Sequence, residues 1–287
     1  MLVKWKDKGG FYMSSSLITN LNNYVKGVMT KNTSAVYLCD GRSGLGKTTL
    51  SCQISCHLAN EIVKYKQKKL NKKVEPKFTL DDVCWTPDVF IEKLKKATYG
   101  DIIIMDESMI LSNRSAMSHF NKAVIIMMSL IRSKQIFVIF NVNSIFDLDK
   151  NLVLHRADVL FHLYAEDDRF ASRGRYLVIP SAHGKLKNLY IVGKKYYNYS
   201  KARIAFRDKY TKFFPFDEKE YEKKKQDAIQ KYFTSSKPET STVRRIKETR
   251  DKVIRYLKDV DKLKPQQIAD ICGLSTRQIW KCLQKDG

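Results

Sequence analysis

Acid is scarce in this chain of 287 residues: 30 Asp and Glu stand against 53 Lys and Arg, a formal charge of +23. A surplus of that size points to a polyanionic partner, nucleic acid or an acidic membrane surface, and says nothing about fold. Long hydrophobic runs are missing as well. The longest uncharged apolar stretches are AVIIMMSLI (123–131) and IFVIF (136–140). Both are too short to cross a bilayer, so membrane insertion is not expected, while attachment at a membrane surface stays open. The opening stretch, MLVKWKDKGGFYMSSS, has no apolar core, so no secretory leader is expected. No C-x-x-C pair occurs among Cys39, Cys52, Cys56, Cys84, Cys272 and Cys282. Reduced, mostly buried thiols are expected, in a cytoplasmic, intracellular setting. Cys52 and Cys56 lie one helical turn apart but have no further metal ligands near them in sequence. No internal repeat is visible. Most carboxylates are scattered or interleaved with lysines, which supplies no nuclease constellation.

Hydrophobic residues make up 43% of the chain, ample for a core. SLITNLNNYVKGVM (16–29) has helical spacing, and AVYLC (35–39) is a compact, β-branched run of strand length. It leads into a glycine-rich turn, CDGRSGLGKTTL (39–50), after which Leu50, Ile54, Leu58 and Ile62 mark one face of a helix. The alternation continues with strand KFTLDDVCW (77–85), helix TPDVFIEKLKKA (86–97), strand GDIIIMDES (100–108), helix 117–133, strand QIFVIFNVN (135–143) and strand ADVLFHLY (157–164). This pattern predicts an α/β domain over 1–216 with a mostly parallel, five-stranded sheet flanked by helices. From about residue 166 a basic extension follows, in which RGRYLVIPS and KNLYIVG read as an antiparallel pair. Residues 217–242 read as a charged, solvated helix and a linker, and 243–287 as a small all-α unit.

The glycine turn fits G-x-x-x-x-G-K-[ST] through Gly41, Gly46, Lys47 and Thr48, between a strand and a helix. In such a turn, backbone N–H groups and a helix N-terminus cradle phosphate oxygens, and glycine lets the backbone approach closely. Gly41, Arg42, Ser43, Gly44, Leu45, Gly46, Lys47, Thr48 and Thr49 are the expected nucleotide contacts. Lys47 would reach the β- and γ-phosphates, and Thr48 would ligate Mg²⁺. IIIMDES then supplies Asp106 for the Mg²⁺ shell, through water, and Glu107 to polarise an attacking water. A strand-end Asp-Glu pair that merely faces solvent is the plainer alternative.

These motifs resemble the P-loop ATPases with a catalytic glutamate, the class that includes RecA-like motors. The resemblance implies ATP and Mg²⁺ as cofactors. It also implies a polar sensor on the strand between the phosphate-loop strand and the acidic strand, for which Asn141 is the first choice and Asn143 the second. Over residues 34–165, TPDVFIEKLKKATYGDIIIMDES, NRSAMSHFNKAV, LIRSKQIFVIF and LDKNLVLHRAD resemble small ATPases of archaeal viruses and plasmids, associated with FtsK/HerA-like translocases and packaging motors. That implies a homo-oligomeric ring, of the hexameric kind, a viral or plasmid assembly or replication partner, and an arginine donated by a neighbouring subunit. Arg132 matches the position best, with Arg114 and Arg156 as alternatives, and each also reads as a solvated surface arginine.

LKPQQIADICGLSTRQIWKCLQK (263–285) has a helix-turn-helix cadence. Pro265 starts one helix, Gly273 permits the turn and Ser275 caps the next. Ile268, Ala269, Cys272, Leu274, Ile279, Cys282 and Leu283 would face inward, against Ile246, Val253, Ile254 and Leu257 of a preceding helix. Thr276, Arg277, Gln278 and Lys281 would then face DNA, against the alternative of a small protein-interaction domain. KLKNLYIVGKKYYNYSKARIAFRDKYTKFF (185–214) interleaves cations with aromatics; it reads equally as a nucleic-acid surface or as a covering layer. The expectation is an ATP-driven DNA motor. Its competitors are an ATP-switched DNA-binding regulator, loader or partition factor, and a membrane-coupled secretion ATPase, for which a transmembrane segment is missing.

Overall fold

Every residue of Ala35–Asp40 (β3) is buried, and successive side chains go to different places. Ala35, Tyr37 and Cys39 join one core cluster, while Val36 and Leu38 join another. The same split divides Ile102 and Ile104 from Ile103 and Met105 in Ile102–Asp106 (β5), and Phe137 and Ile139 from Val138 and Phe140 in Phe137–Val142 (β6). Strand geometry sends alternate side chains to opposite faces, so an unbroken apolar strand needs cover on both. The computed structural model describes residues 1–71, 73–106, 132–166, 174–234, 241–259 and 262–283. They form two compact units, Met1–Tyr232 and Phe233–Gly287.

In the first unit, one face of the sheet is covered by Ser15–Thr30 (α1) and Lys47–Leu70 (α2), through Leu17, Leu21, Val25, Leu50, Ile54 and Leu58. A short hairpin of Leu2–Lys4 (β1) and Gly10–Tyr12 (β2) adds Trp5 and Phe11 to that core. The other face is covered by Pro87–Lys96 (α3), Lys150–His155 (α4) and Lys185–Gly193 (α5). Each fully buried Leu, Ile or Phe contributes roughly 1.5–3 kcal/mol.

The sheet has seven strands, not the five expected. With Val83–Cys84 (β4), Val159–Tyr164 (β7), Arg175–Pro180 (β8) and Phe206–Lys209 (β9), its order is β4-β5-β6-β3-β7-β8-β9. β4 through β7 pair in parallel, and β8 and β9 are antiparallel additions. Two local expectations are corrected. The strand expected over 77–85 shrinks to two residues, because Thr79 donates from its N and Oγ1 to Asp82 Oδ2 and winds Leu80–Asp82 into a 3₁₀ turn. KNLYIVG is not the partner of RGRYLVIPS. It is the body of α5, since Leu186, Leu189 and Tyr190 stand at helical spacing and all reach the core; β8 pairs with β7 and β9 instead. The helix expected over 117–133 lies almost wholly outside the described residues. No described helix is long and apolar enough to cross a membrane.

The segment Glu218–Thr234 (α6), read as a solvated helix, buries Tyr221 in the first unit. The second unit packs Ser241–Asp259 (α7), Pro265–Cys272 (α8) and Thr276–Leu283 (α9) around Ile254, Ile268, Ala269, Ile279 and Cys282. Gly273 ends α8 in the left-handed region at φ +63°. Ser275 and Gln278 then cap α9 reciprocally, Ser275 N donating to Gln278 Oε1 at 2.9 Å. Val253, expected inside, is exposed, because Ile254 takes the inward position. The Ile246 side chain lies outside the described residues.

Candidate functional site

The site grows from the point where β3 stops. Gly41 has φ +139°, and a Cβ there would stand 2.5 Å from the Leu163 carbonyl oxygen of neighbouring β7. No side chain fits at that crossing. Gly41→Ala is expected to cost roughly 1–3 kcal/mol in backbone strain alone, to be checked by the denaturation midpoint; an unchanged midpoint would show that β7 yields. At Gly46 (φ +86°) a Cβ would strike the Tyr210 hydroxyl, which donates to Leu45 O and pins the turn from outside. α2 begins at Lys47 with no side-chain cap, so its first N–H groups face the turn with no partner inside the helix.

Beneath the turn lies a carboxylate absent from the sequence reading. Asp40 is fully buried. It accepts from Ile145 N at 3.1 Å, from His162 Nδ1 at 2.7 Å and from the Tyr199 hydroxyl. The glycine turn and the 143–145 segment therefore hang from one side chain. Its only sequence signal was a charge at the end of an apolar strand.

Lys47 Nζ folds back over the turn, donating to Gly41 O at 2.6 Å, Arg42 O at 3.2 Å and Asn143 Oδ1 at 3.1 Å. Ser43 Oγ donates to the same Asn143 oxygen at 3.3 Å. Across the cavity, Asp106 ends β5 almost wholly buried. Its Oδ2 accepts from Thr48 Oγ1 at 3.1 Å and from the Tyr221 hydroxyl at 2.7 Å, and its Oδ1 accepts from Asn141 Nδ2 at 3.3 Å. Ser51 Oγ on α2 donates to Asn141 Oδ1 at 2.6 Å. β6 lies between β3 and β5, with Asn141 in register with both Cys39 and Asp106. The two asparagines thus divide the work. Asn141 is buried with both ends of its amide engaged and orients Asp106, whereas the exposed Asn143 reaches the glycine turn.

A cavity of about 410 Å³ opens between these walls. Ser43, Gly44, Gly46, Lys47, Thr48 and Thr49 line one side, and Lys212, Phe214, Glu218, Tyr221, Glu222 and Lys225 another. The second wall was missed, because a tyrosine inside EKEYEKKK has no apolar neighbours in sequence. In space Tyr221 is clamped by Trp85 at 5.7 Å and Phe214 at 5.2 Å between ring centroids. Burial, and then the negative Asp106, raise its pKa far above that of a free tyrosine, so it stays a donor.

Among the described residues no group of three or more His, Cys, Asp or Glu could cage a metal. Thr48 and Asp106 are instead an oxygen pair suited to a hard cation that keeps water and phosphate oxygens as its other ligands. The six thiols are free; burial pushes Cys39 up to about 12, which leaves it a neutral packing group. Glu107 and Arg114 lie outside the described residues. Arg132 falls in a short 3₁₀ turn, Arg132–Lys134, with its side chain outside them. Arg156 is half-buried at the C-cap of α4.

In the second unit Arg277 and Lys281 are exposed on α9. Thr276 and Gln278 have local duties: Thr276 Oγ1 donates to Gln266 Oε1 at 2.8 Å, and Gln278 caps its own helix. The exposed Trp280, with Lys258 Nζ 5.8 Å from its ring centre, was not foreseen as part of that surface. The chain matches no protein-family model and no curated protein.

Proposed function

We propose that the protein is a Mg²⁺-dependent ATPase that works on DNA as a ring-forming motor of the translocating or packaging kind, similar to small ATPases of archaeal viruses and plasmids. The observation that carries the reading is the bond from Thr48, in the first turn after the glycine loop, to Asp106, two strands away. It joins the glycine turn to a buried carboxylate, the pairing that phosphoryl transfer needs.

In this reading the first-turn amides of α2 and the Lys47 ammonium bind the phosphates. Lys47 exchanges its present loop carbonyls for phosphate oxygens. Magnesium, when bound, would be held by the Thr48 hydroxyl and, through water, by Asp106, and would screen charge on the terminal phosphates. Asn141 keeps Asp106 turned toward Thr48. Glu107 takes a proton from the attacking water, and Arg132 of a neighbouring copy would meet the developing negative charge. The net charge of +23 supports a polyanionic partner, and Arg277 and Lys281 on α9 are the first candidates for its phosphates and base edges.

The test is ATP turnover with and without double- and single-stranded DNA, together with mass in solution. DNA-stimulated hydrolysis by an oligomer is the expected result. A chain ending at residue 235, just beyond the first unit, is expected to keep basal turnover and to lose at least tenfold in DNA affinity, the scale of a few lost phosphate contacts. Hydrolysis by a DNA-bound monomer would favour the switch-like regulator; no hydrolysis would remove the reading.

A further inference from the structure

The wall of the cavity opposite the glycine turn carries two ammonium groups that the proposed chemistry has not used. We propose that Lys225, with Lys212 beside it, is a cation for the terminal phosphate of a nucleoside triphosphate, supplied by the same subunit that binds the nucleotide. The proposal rests on the nucleotide-site reading above.

Four observations place these lysines. First, the strap after β9 is fixed to the same helix that begins the site. Gln53 of α2, itself buried, donates from Nε2 to Thr211 O at 2.7 Å and to Phe213 O at 2.8 Å. Lys212 sits between these two anchors and lines the cavity. Second, α6 is fastened to the acidic strand by the Tyr221–Asp106 bond of 2.7 Å. Lys225 follows Tyr221 by one helical turn, so the two share a face. Its Nζ lies 5.7 Å from the Tyr221 ring centre. Third, the adjacent Lys224 is committed elsewhere, to Asp81 at 2.9 Å and Glu220 at 3.3 Å. Among the described residues neither Lys212 nor Lys225 has a carboxylate within ion-pair distance. Fourth, the wall stands on the Asp106 side. Thr48 and Asp106 would hold a cation that serves the terminal phosphates, so a group carried next to Asp106 would meet the end of the chain rather than the base.

Glu218 and Glu222 also line the opening. Both are exposed and free to turn to solvent, whereas Lys225 is half-buried with its stem along Tyr221. A triphosphate brings one more charged phosphate to this wall than a diphosphate does. The lysines therefore serve discrimination between ATP and ADP, whereas the turn and Lys47 also hold the phosphates that ADP keeps.

The test is equilibrium binding of the full chain to ADP and to the non-hydrolysable triphosphate AMP-PNP, each with Mg²⁺. Lys225→Met is expected to weaken AMP-PNP about tenfold, the scale of one lost hydrogen bond to a charged group, and ADP less than about twofold by the same reasoning. Lys212→Met should act in the same direction and Lys225→Arg should restore the preference. Lys47→Ala, by contrast, should weaken both ligands. Equal losses for both nucleotides in Lys225→Met, or none, would overturn the proposal and leave the nucleotide site standing. A wild-type chain that binds neither nucleotide would overturn the site reading itself. Mixing Lys225→Met with Lys47→Ala checks the subunit assignment. At ATP concentrations too low to saturate Lys225→Met, no rise in turnover above that of Lys225→Met alone is expected, since every site then carries one defect or the other; a rise toward the wild-type rate would place Lys225 in the neighbour's site and overturn the same-subunit claim.

Discussion

Lys47→Ala is expected to abolish nucleotide binding, and turnover with it. The ammonium lies within 2.6–3.2 Å of two carbonyls of the turn and of the Asn143 amide oxygen. It is already directed into the concavity that phosphates would fill. Alanine removes the one cation of the turn whose side chain lines the cavity, since Arg42 is not among the lining residues. It also leaves three oxygens facing one another with nothing between them, which an incoming anion would worsen. A loss of at least 10²-fold in affinity is expected, the sum of two or three charge-assisted bonds, with the denaturation midpoint nearly unchanged because the ammonium is at the surface of the turn. Calorimetric titration with Mg²⁺-ADP and with Mg²⁺-ATP would measure it. Wild-type affinity in a folded Lys47→Ala chain would mean that the turn holds no phosphate.

Asp106→Asn and Glu107→Gln are expected to stop hydrolysis in two distinguishable ways. The amide in Asp106→Asn keeps one acceptor for Asn141 or Thr48, but it carries no charge and turns a donor toward Thr48 and Tyr221, which are donors themselves. Nucleotide binding should lose most of its dependence on Mg²⁺, and turnover should fall about 10²–10³-fold, the scale of losing one preorganised charge-stabilising group. Glu107→Gln should still bind Mg²⁺-ATP tightly and fail only at the water step, since an amide cannot take the proton. Stopped turnover with retained, Mg²⁺-dependent binding is the signature to seek. Comparable turnover by Glu107→Gln and the wild type would remove Glu107 from catalysis.

The parts of the fold that were legible in the sequence are those whose period was clean. β3, β5, β6 and β7 are predominantly apolar runs, and α1, α2 and α3 carry spaced apolar faces. The glycine turn and Asp106 were found because close backbone approach and buried charge both leave marks in a single stretch. The misses came where tertiary packing overruled local pattern. Leu80–Asp82 turned on an aspartate that bonds back to Thr79. α5 looked like a strand because a single turn of apolar residues is ambiguous at that length. Asn141, chosen because it follows the apolar run, does line the cavity. What the sequence did not show is that period two also turns it to the α2 face with Phe137 and Ile139, where the Ser51 hydroxyl donates to it. Tyr221 gave no signal at all: its partners Trp85, Asp106 and Phe214 are brought to it only by the fold.

The two ends of the main sheet carry a consequence for assembly. One border strand, β4, is two residues long, and the other, β9, is four residues long, with exposed Arg207 and Lys209 alternating along it. So short and so charged a margin offers little unpaired backbone to a second copy. Copies of this chain in a ring would therefore join through side-chain surfaces rather than by stitching one sheet onto the next. A junction of that kind has no shared ladder to break, so copies joined by it would be free to pivot against each other while each sheet, and the glycine turn built on it, stays rigid.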